Sequence, residues 1–334
     1  MSYSVEPEEG DDRAVSLLHV PAADDPALRP SDLDGFIGQK RARQILQMTI
    51  AGARSRGDTV DHTLLYGPPG LGKTTLARIL AIQTGGGFKS LSGPSILKAS
   101  ELAPVLAGIQ FGDTVFIDEI HRLPTPVAEM LYTVMEDYRL DLLVGPPGST
   151  RSVSIPIPRF TLVGATTMSG MLTGPLRLRF GVSIRLEPYS DDELVEIVVR
   201  SANLLGVELA PGVAFEIARH SRGTPRLLNT LVRRLRDAAA EAGVDVVTSP
   251  LADSTFTLLG IDERGLDETD RRYIDTLQHR YGGGPVGVKN IATAMGEDVS
   301  TLENEIEPWL LRRGLIERTG RGRMLSGTRE GHLL

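Results

Sequence analysis

The most constrained segment of the chain reads Gly67-Pro68-Pro69-Gly70-Leu71-Gly72-Lys73-Thr74, which matches the pattern G-x-x-x-x-G-K-[ST] at every fixed position. The apolar run His62–Tyr66 before it predicts a buried strand, and residues 75–82 after it carry apolar side chains at helical spacing. Glycines let successive backbone N–H groups turn towards an anion, and the positive end of the helix dipole adds to that attraction. Lys73 is then expected to reach the β- and γ-phosphates, with the Thr74 hydroxyl on Mg²⁺. The segment therefore predicts a site for a nucleoside triphosphate with Mg²⁺.

A second motif follows the apolar strand predicted at residues 114–117 and consists of two carboxylates, Asp118 and Glu119. A continuous apolar run is typical of a central parallel strand covered on both faces, and ligands bind at the carboxyl ends of such strands. Asp118 fits the acidic group that holds Mg²⁺, and Glu119 fits a general base acting on water. Such pairs also cap helices, but their place downstream of a phosphate loop favours catalysis.

The composition is that of a globular chain of two or three domains, with 334 residues, 41% of them hydrophobic and 24% charged. No cysteine is present, which excludes a disulfide framework, a thiolate metal site and a cysteine nucleophile. The net charge of −7 predicts that any DNA-binding surface is a local patch. No segment resembles a signal peptide or a membrane span. We therefore expect a cytoplasmic protein without a membrane partner.

Two segments flanking these motifs leave alternatives open. Residues 1–25 are acidic and Pro/Ala-rich and predict a flexible tail. Leu28-Arg29-Pro30 follows, either as a structural turn or as a contact to the adenine. Residues 140–157 contain two strand-like stretches around a Pro/Gly turn, which predicts a β-hairpin. This hairpin either packs on its own protein or presents a surface for a partner.

Another buried strand is predicted over residues 160–167, where it ends in hydroxyl side chains. Thr167 is therefore expected beside the two carboxylates, where it would position the γ-phosphate or the attacking water. Arg177 and Arg179 come shortly after this strand. They are either surface ion-pair partners or, in a ring of subunits, a source of an arginine finger for the neighbouring nucleotide.

From Ser190 onward the pattern is helical, which predicts a small all-α domain at residues 190–260. Arg226 lies in the first turn of one of these helices, where a cation opposes the helix dipole. Its guanidinium is therefore expected to act elsewhere, on nucleotide phosphates. Residues 261–334 show three helices and a hairpin, the order of a winged helix that docks on DNA. Six arginines (312, 313, 318, 321, 323 and 329) against two glutamates make the region from Trp309 to Glu330 locally basic.

Taken together, these motifs resemble those of the RuvB family, the bacterial AAA+ motors that drive branch migration of Holliday junctions. The resemblance covers about residues 26–326 and is carried by Gly-Pro-Pro-Gly-Leu-Gly-Lys-Thr-Thr (67–75), Ile-Asp-Glu-Ile-His-Arg-Leu (117–123), Glu-Asp-Tyr (136–138), Gly-Ala-Thr-Thr (164–167), Arg-Phe-Gly (179–181), Gly-Thr-Pro-Arg (223–226), Gly-Gly-Pro-Val-Gly (283–287) and Arg-Gly-Arg-Met (321–324). It implies an α/β P-loop AAA+ large domain at residues 26–189, a small all-α lid domain and a C-terminal winged-helix domain.

The resemblance also implies that the nucleotide is ATP, and it implies roles for individual residues. Those predicted around the nucleotide, from the loop and the resemblance together, are Leu28, Arg29, Gly70, Leu71, Gly72, Lys73, Thr74, Thr75, Glu136, Asp137, Tyr138, Thr167, Tyr189 and Arg226. The catalytic set is Lys73, Asp118, Glu119 and Arg179, with Thr74 and Asp118 on the metal and Arg179 as the trans-acting finger. Arg318, Arg321 and Arg323 match the DNA-contacting region.

The implied assembly is a hexameric ring around duplex DNA at a Holliday junction. The 140–157 hairpin would bind the junction protein RuvA, and the resolvase RuvC would join the resolving complex. Met168 and Leu178 depart from residues common in the family and are expected to alter contacts between subunits. Alternative functions are an AAA+ clamp loader or replication-initiation ATPase, and a winged-helix regulator switched by ATP.

Overall fold

The structure is a computed structural model that describes residues 26–144 and 151–327. The predicted tail at residues 1–25 lies outside this part of the chain. The described residues divide at Arg233 into two compact units, which are treated separately below.

The first unit is built on a parallel five-stranded sheet. Its strands are β1 (Thr63–Tyr66), β2 (Phe88–Ser92), β3 (Thr114–Asp118), β6 (Thr161–Thr166) and β7 (Val182–Arg185), in the spatial order β2-β3-β6-β1-β7. Every residue of β6 is buried, as expected of a central strand covered on both faces. The register pairs Tyr66 with Thr166 and Ile117 with Gly164. The segments that follow β1, β3 and β6 therefore leave the sheet side by side at its carboxyl edge.

Five helices accompany this sheet: α1 (Lys40–Arg56), α2 (Lys73–Thr84), α3 (Ala99–Ala107), α4 (Thr125–Asp137) and α5 (Gly174–Leu178). Leu131 and Val134 of α4 are fully buried and belong to the same core cluster as Val115 and Leu162 of the sheet. This packing fixes α4 against strands that border the predicted site.

The hairpin predicted at residues 140–157 is formed by β4 (Arg139–Val144) and β5 (Arg151–Pro156), which pair antiparallel. Leu142 and Ile155 pack against the core of the first unit, with Leu140 fully buried beside them. The tip, residues 145–150, lies outside the described residues. These three side chains of the hairpin therefore pack on its own protein, whereas Arg151, Ser152, Ser154 and Pro156 of β5 are exposed.

Helices alone follow, apart from strand β8 (Glu208–Leu209). They are α6 (Asp191–Leu205), α7 (Val213–His220) and α8 (Pro225–Ala242), whose last turns belong to the second unit. Ser190 caps α6 in a capping box with Glu193, which explains why the helix begins at Asp191.

The second unit continues with β9 (Val246–Val247) and α9 (Ser249–Leu258), and then with α10 (Glu268–Asp275) and a π-helical turn at Thr276–Arg280. Next come α11 (Val288–Met295), α12 (Val299–Thr301), a π-helical turn at Leu302–Ile306 and α13 (Glu307–Arg312). Strands β10 (Ile316–Thr319) and β11 (Gly322–Leu325) form an antiparallel hairpin, and Val286 bridges to Arg323 of that hairpin. Three helical segments followed by this hairpin, hereafter the wing, give the predicted order of a winged helix. No helix of the described residues is long and apolar enough to span a membrane.

Candidate functional site

The phosphate loop joins β1 to α2, as predicted. Gly72 at the start of α2 has a φ of 96°, and a Cβ built on it would lie 2.9 Å from the Phe36 ring. Only glycine takes this conformation at so close an approach. No side chain caps α2 at this end and its first turn carries no acidic residue. The N–H groups of that turn therefore point into the loop without a side-chain acceptor, which is the arrangement that binds phosphate.

Lys73 is enclosed by the loop, with 8% of the residue exposed. Its Nζ donates to the carbonyl of Gly67 at 2.9 Å and to that of Pro68 at 2.8 Å. Burial lowers the pKa of the ammonium to about 8, and Arg226 lowers it too, whereas Asp118 and Glu119 raise it. A poorly hydrated cation of this kind gains most from an anion that enters the loop.

The two carboxylates lie at the carboxyl end of β3, where Asp118 is its last residue and Glu119 follows it. Asp118 Oδ1 accepts a hydrogen bond from the backbone N–H of Glu119 at 2.9 Å, and Glu119 has a left-handed backbone with a φ of 48°. Such a conformation is rare for a residue other than glycine and is retained where the surroundings impose it. The side chain of Glu119 pairs with Arg122 at 3.2 Å and remains partly exposed, so it is accessible to water.

The predicted donor set for Mg²⁺ consists of one hydroxyl and one carboxylate. Thr74 is half-buried in the first turn of α2, and Asp118 ends β3. Among the residues the structure describes, no group of three or more His, Cys, Asp or Glu side chains could hold a metal alone. This fits Mg²⁺, because that ion takes few protein ligands and completes its shell with phosphates and water.

Two further predicted residues, Tyr189 and Arg226, lie around the loop. Tyr189 is buried and its hydroxyl donates to the carbonyl of Leu71 at 3.2 Å. A Cβ built on Gly70 would lie 3.4 Å from the Cβ of Arg226, which brings the first turn of α8 against the loop. Arg226 itself is exposed. The segment before α1 is held too, because Arg200 of α6 donates to the carbonyl of the buried Leu28 at 2.9 Å. Arg29 and Thr75 are half-buried.

Thr167 follows β6 directly and is half-buried. The residue before it, Thr166, is fully buried, and its Oγ1 lies 2.9 Å from Nδ1 of His121. Burial lowers the pKa of His121, so the ring is neutral near pH 7. Sequence reasoning missed this contact because the two residues lie 45 positions apart.

Arg179 is folded back onto its own subunit. Its guanidinium pairs with Glu136 at 3.0 Å, donates to the carbonyl of Pro175 at 2.8 Å and lies 4.8 Å above the ring of Tyr132. Its position, three residues before β7 begins, is at the amino edge of the parallel sheet. A four-residue strand spans about 13 Å, so the sheet separates Arg179 from the phosphate loop of its own chain. The guanidinium thus lies at the opposite end of the strands from the phosphate loop of its own chain, as a finger that acts on a neighbour would.

The predicted nucleotide residues Glu136, Asp137 and Tyr138 share that amino edge. The ring of Tyr138 packs against His62, which precedes β1, and against Phe160, which precedes β6, at centroid distances of 6.0 and 6.1 Å. Within one chain the predicted site residues therefore form two groups. One group surrounds the loop at the carboxyl edge, and the other surrounds Arg179 at the amino edge.

The wing presents its arginines unequally. Glu307, which is fully buried, accepts from Arg318 at 2.6 Å, from Arg323 at 3.0 Å and from the hydroxyl of Tyr273 at 3.0 Å. Arg323 also pairs with Glu303 at 2.5 Å. Only 15% of the Arg323 side chain is exposed, against 45% for Arg318. Arg321 is exposed at the turn of the wing.

The fold and the site together define the AAA+ class of ATPases. The sheet is parallel, the phosphate loop follows β1 and the two carboxylates lie at the end of β3. A helical lid brings an arginine to the loop. Three family models match the chain: the Holliday junction DNA helicase RuvB P-loop domain at residues 28–186, the RuvB AAA lid domain at 189–262 and the RuvB C-terminal winged helix domain at 263–333. The chain therefore belongs to the RuvB family of AAA+ branch-migration helicases. The predicted family, fold class and class of enzyme are confirmed, and so is the use of ATP.

Individual relatives agree with this assignment. The Holliday junction branch migration complex subunit RuvB of Paramagnetospirillum magneticum is 49% identical over 321 residues, which cover 96% of this chain and 92% of that protein. The solved structure of the Thermotoga maritima RuvB Holliday junction branch migration motor is 42% identical, with a TM-score of 0.83 over 92% of this chain and 98% of that one. A single-residue variant of the same motor also has a TM-score of 0.83 and 42% identity, over 91% of this chain and 98% of that one.

Proposed function

We propose that this chain is the ATP-driven subunit of a DNA motor that moves Holliday junctions by branch migration in homologous recombination and repair. The observation that carries the proposal is the division of the predicted site between the two edges of one sheet. The loop, Lys73 and the carboxylates occupy one edge, and Arg179 occupies the other. This arrangement supports a site completed by the arginine of a neighbour, and in a closed ring every subunit would receive one.

In the proposed reaction, Lys73 and the N–H groups of the α2 terminus hold the β- and γ-phosphates. Glu119 accepts a proton from the attacking water, and Thr167 positions that water on the γ-phosphate. Thr74 and Asp118 would hold Mg²⁺. The ion would offset the negative charge of the phosphates. Arg226 of the same chain and Arg179 of the next stabilise the charge that develops as the bond to ADP breaks.

The proposed assembly is a homohexamer around duplex DNA at a Holliday junction. Each subunit would comprise the large ATPase domain (26–189), the small lid domain (190–260) and the winged-helix domain (261–334). On the wing, Arg321 is free for a phosphate and Arg318 is half-exposed, whereas Arg323 would reach DNA only at its margin. The 140–157 hairpin would bind RuvA, although its side chains Leu140, Leu142 and Ile155 pack inward. RuvC would join this assembly in the cytoplasm.

A branch-migration assay on a labelled four-way junction tests the proposal. ATP should drive conversion of the junction to two duplexes, faster when RuvA is present, and Glu119→Gln should abolish conversion while ATP still binds. A clamp loader would hydrolyse ATP on DNA without converting the junction. That result would overturn the motor assignment and leave the ATPase assignment in place.

A further inference from the structure

Thr166 occupies the last position of β6, between the two loops that carry the proposed catalytic groups. It is completely buried, and its Oγ1 accepts a hydrogen bond from the backbone N–H of Met168 at 2.9 Å. The same oxygen lies 2.9 Å from His121 Nδ1. A hydroxyl carries one proton, and a buried donor without an acceptor is costly. Since Met168 already donates to the oxygen, the hydroxyl proton goes to His121, and the ring proton resides on Nε2.

This bond joins two loops that leave adjacent strands. His121 lies two residues beyond Glu119, in the helical turn Ile120–Arg122 that follows β3. Thr166 immediately precedes Thr167, and its bond with Met168 N–H closes a turn around that residue. The distance between the loop of Glu119 and the loop of Thr167 is thereby fixed by one buried hydroxyl.

We propose that Thr166 and His121 are positioning residues for ATP hydrolysis, which hold Glu119 and Thr167 in register with each other. Both side chains would act through the loops that they join. This inference rests on the proposed roles of Glu119 and Thr167. A water held by Thr167 and deprotonated by Glu119 needs both groups in fixed relative positions, since misplacement by about 1 Å can slow a reaction about 100-fold.

The alternative is that the bond only stabilises the fold, and β6 supplies a matched control for that alternative. Thr161 begins the same strand, is also buried, and donates to the carbonyl of Val60 at 2.7 Å. Thr161→Val removes a comparable buried hydrogen bond at the opposite end of the strand. Thr166→Val removes the bond near the site without changing the side-chain volume much.

The test measures steady-state ATP hydrolysis by the full-length chain with duplex DNA, together with binding of a non-hydrolysable ATP analogue and the Tm. Thr166→Val should lower kcat about 10- to 100-fold, with analogue affinity within about twofold of wild type. Thr161→Val should lower the Tm comparably and leave kcat within about twofold. Thr166→Ser, which keeps the hydroxyl, should restore kcat.

Substitutions of His121 test the same hydrogen bond independently. In His121→Asn the amide oxygen can replace Nδ1 as acceptor, whereas His121→Leu cannot accept, so Asn should retain most of kcat and Leu should lose it. Equal kcat for Thr166→Val and Thr161→Val would overturn the positioning role. Hydrolysis that is insensitive to Glu119→Gln would instead overturn the proposed function, and the coupling with it.

Discussion

His62, just before β1, is a buried histidine whose two ring nitrogens are both engaged. Nδ1 accepts from the backbone N–H of Leu162 at 2.8 Å, and Nε2 donates to the carbonyl of Met135 at 3.2 Å. Burial lowers its pKa from 6.5 to about 4, although the bond to Met135 and the charge of Asp61 oppose the shift. The neutral ring thus ties β1 and β6 to the end of α4.

This histidine should make the stability of the first unit depend on pH. The unfolded chain binds a proton at His62 below pH 6.5, whereas the folded chain does so only near pH 4. The free energy of unfolding should therefore fall by up to about 3 kcal/mol as the pH decreases through this window. Urea unfolding at pH 7, 6 and 5 measures it. In His62→Gln the midpoint should be lower at pH 7 and less sensitive to pH, and an unchanged pH dependence would contradict the assignment.

At the scale of an element, the wing is organised by the buried Glu307. Its carboxylate joins Tyr273 of α10 to Arg318 of β10 and Arg323 of β11. Burial, followed by the nearby Glu307 charge, raises the pKa of Tyr273, so this hydroxyl remains a donor. One carboxylate therefore sets how the wing is attached to the helices.

Removal of that carboxylate should loosen the wing. Glu307→Ala would leave Arg318 without its anion and Arg323 with Glu303 alone, which should destabilise the second unit by about 3 kcal/mol. Thermal unfolding followed by tryptophan fluorescence suits this measurement, because Trp309 belongs to the same core. Tyr273→Phe removes one bond and no charge, so it should cost only about 1–2 kcal/mol. Similar losses in the two variants would mean that Glu307 is not the organising charge.

Among the elements, the central strands were predictable and the edge strands were not. Runs such as Thr114–Ile117 are continuously apolar because β1, β3 and β6 are covered on both faces. In the sheet order β2 and β7 are the outermost strands, and the burial of their side chains alternates or is incomplete. Val182–Arg185 therefore has only two apolar residues and does not differ from a loop in sequence.

The candidate site shows the same division between local and distant information. The loop and the two carboxylates are defined by neighbouring residues, so motif spacing placed them correctly at one edge of the sheet. Sequence reasoning could not place Arg179 on Glu136, or Arg318 and Arg323 on Glu307, because those partners lie 11 to 43 positions away. Ion pairs that depend on the fold leave no local pattern.

At the scale of the whole molecule, Arg179 is separated from the phosphate loop of its own chain. This separation predicts that two inactive variants can complement each other in a mixed assembly. Arg179→Ala alone should bind ATP but lose about 10³- to 10⁵-fold in kcat. Glu119→Gln alone should also be inactive. In an equal mixture, roughly one interface in four joins an intact Glu119 to an intact Arg179 of the neighbour, so hydrolysis should reappear.

The measurement is ATP hydrolysis against the mixing ratio at constant total protein. Activity should be highest near equal amounts and vanish at both ends. Mixtures that stay inactive, although the subunits co-assemble, would contradict a site shared between neighbours. Wild-type turnover by Arg179→Ala alone would remove the residue from the reaction altogether.

The ion pair between Arg179 and Glu136 has a consequence for a subunit that has no neighbour. Glu136 remains 57% exposed, and an ion pair of this kind is worth about 1 kcal/mol or less. A neighbour's triphosphate, which carries more charge, can therefore take the guanidinium from Glu136 with little loss. If Arg179 is the trans-acting finger, its guanidinium stays paired with Glu136 in a subunit without a neighbour. Such a subunit would bind ATP but not hydrolyse it. ATP hydrolysis would then be limited to assembled subunits, which can couple it to movement of DNA.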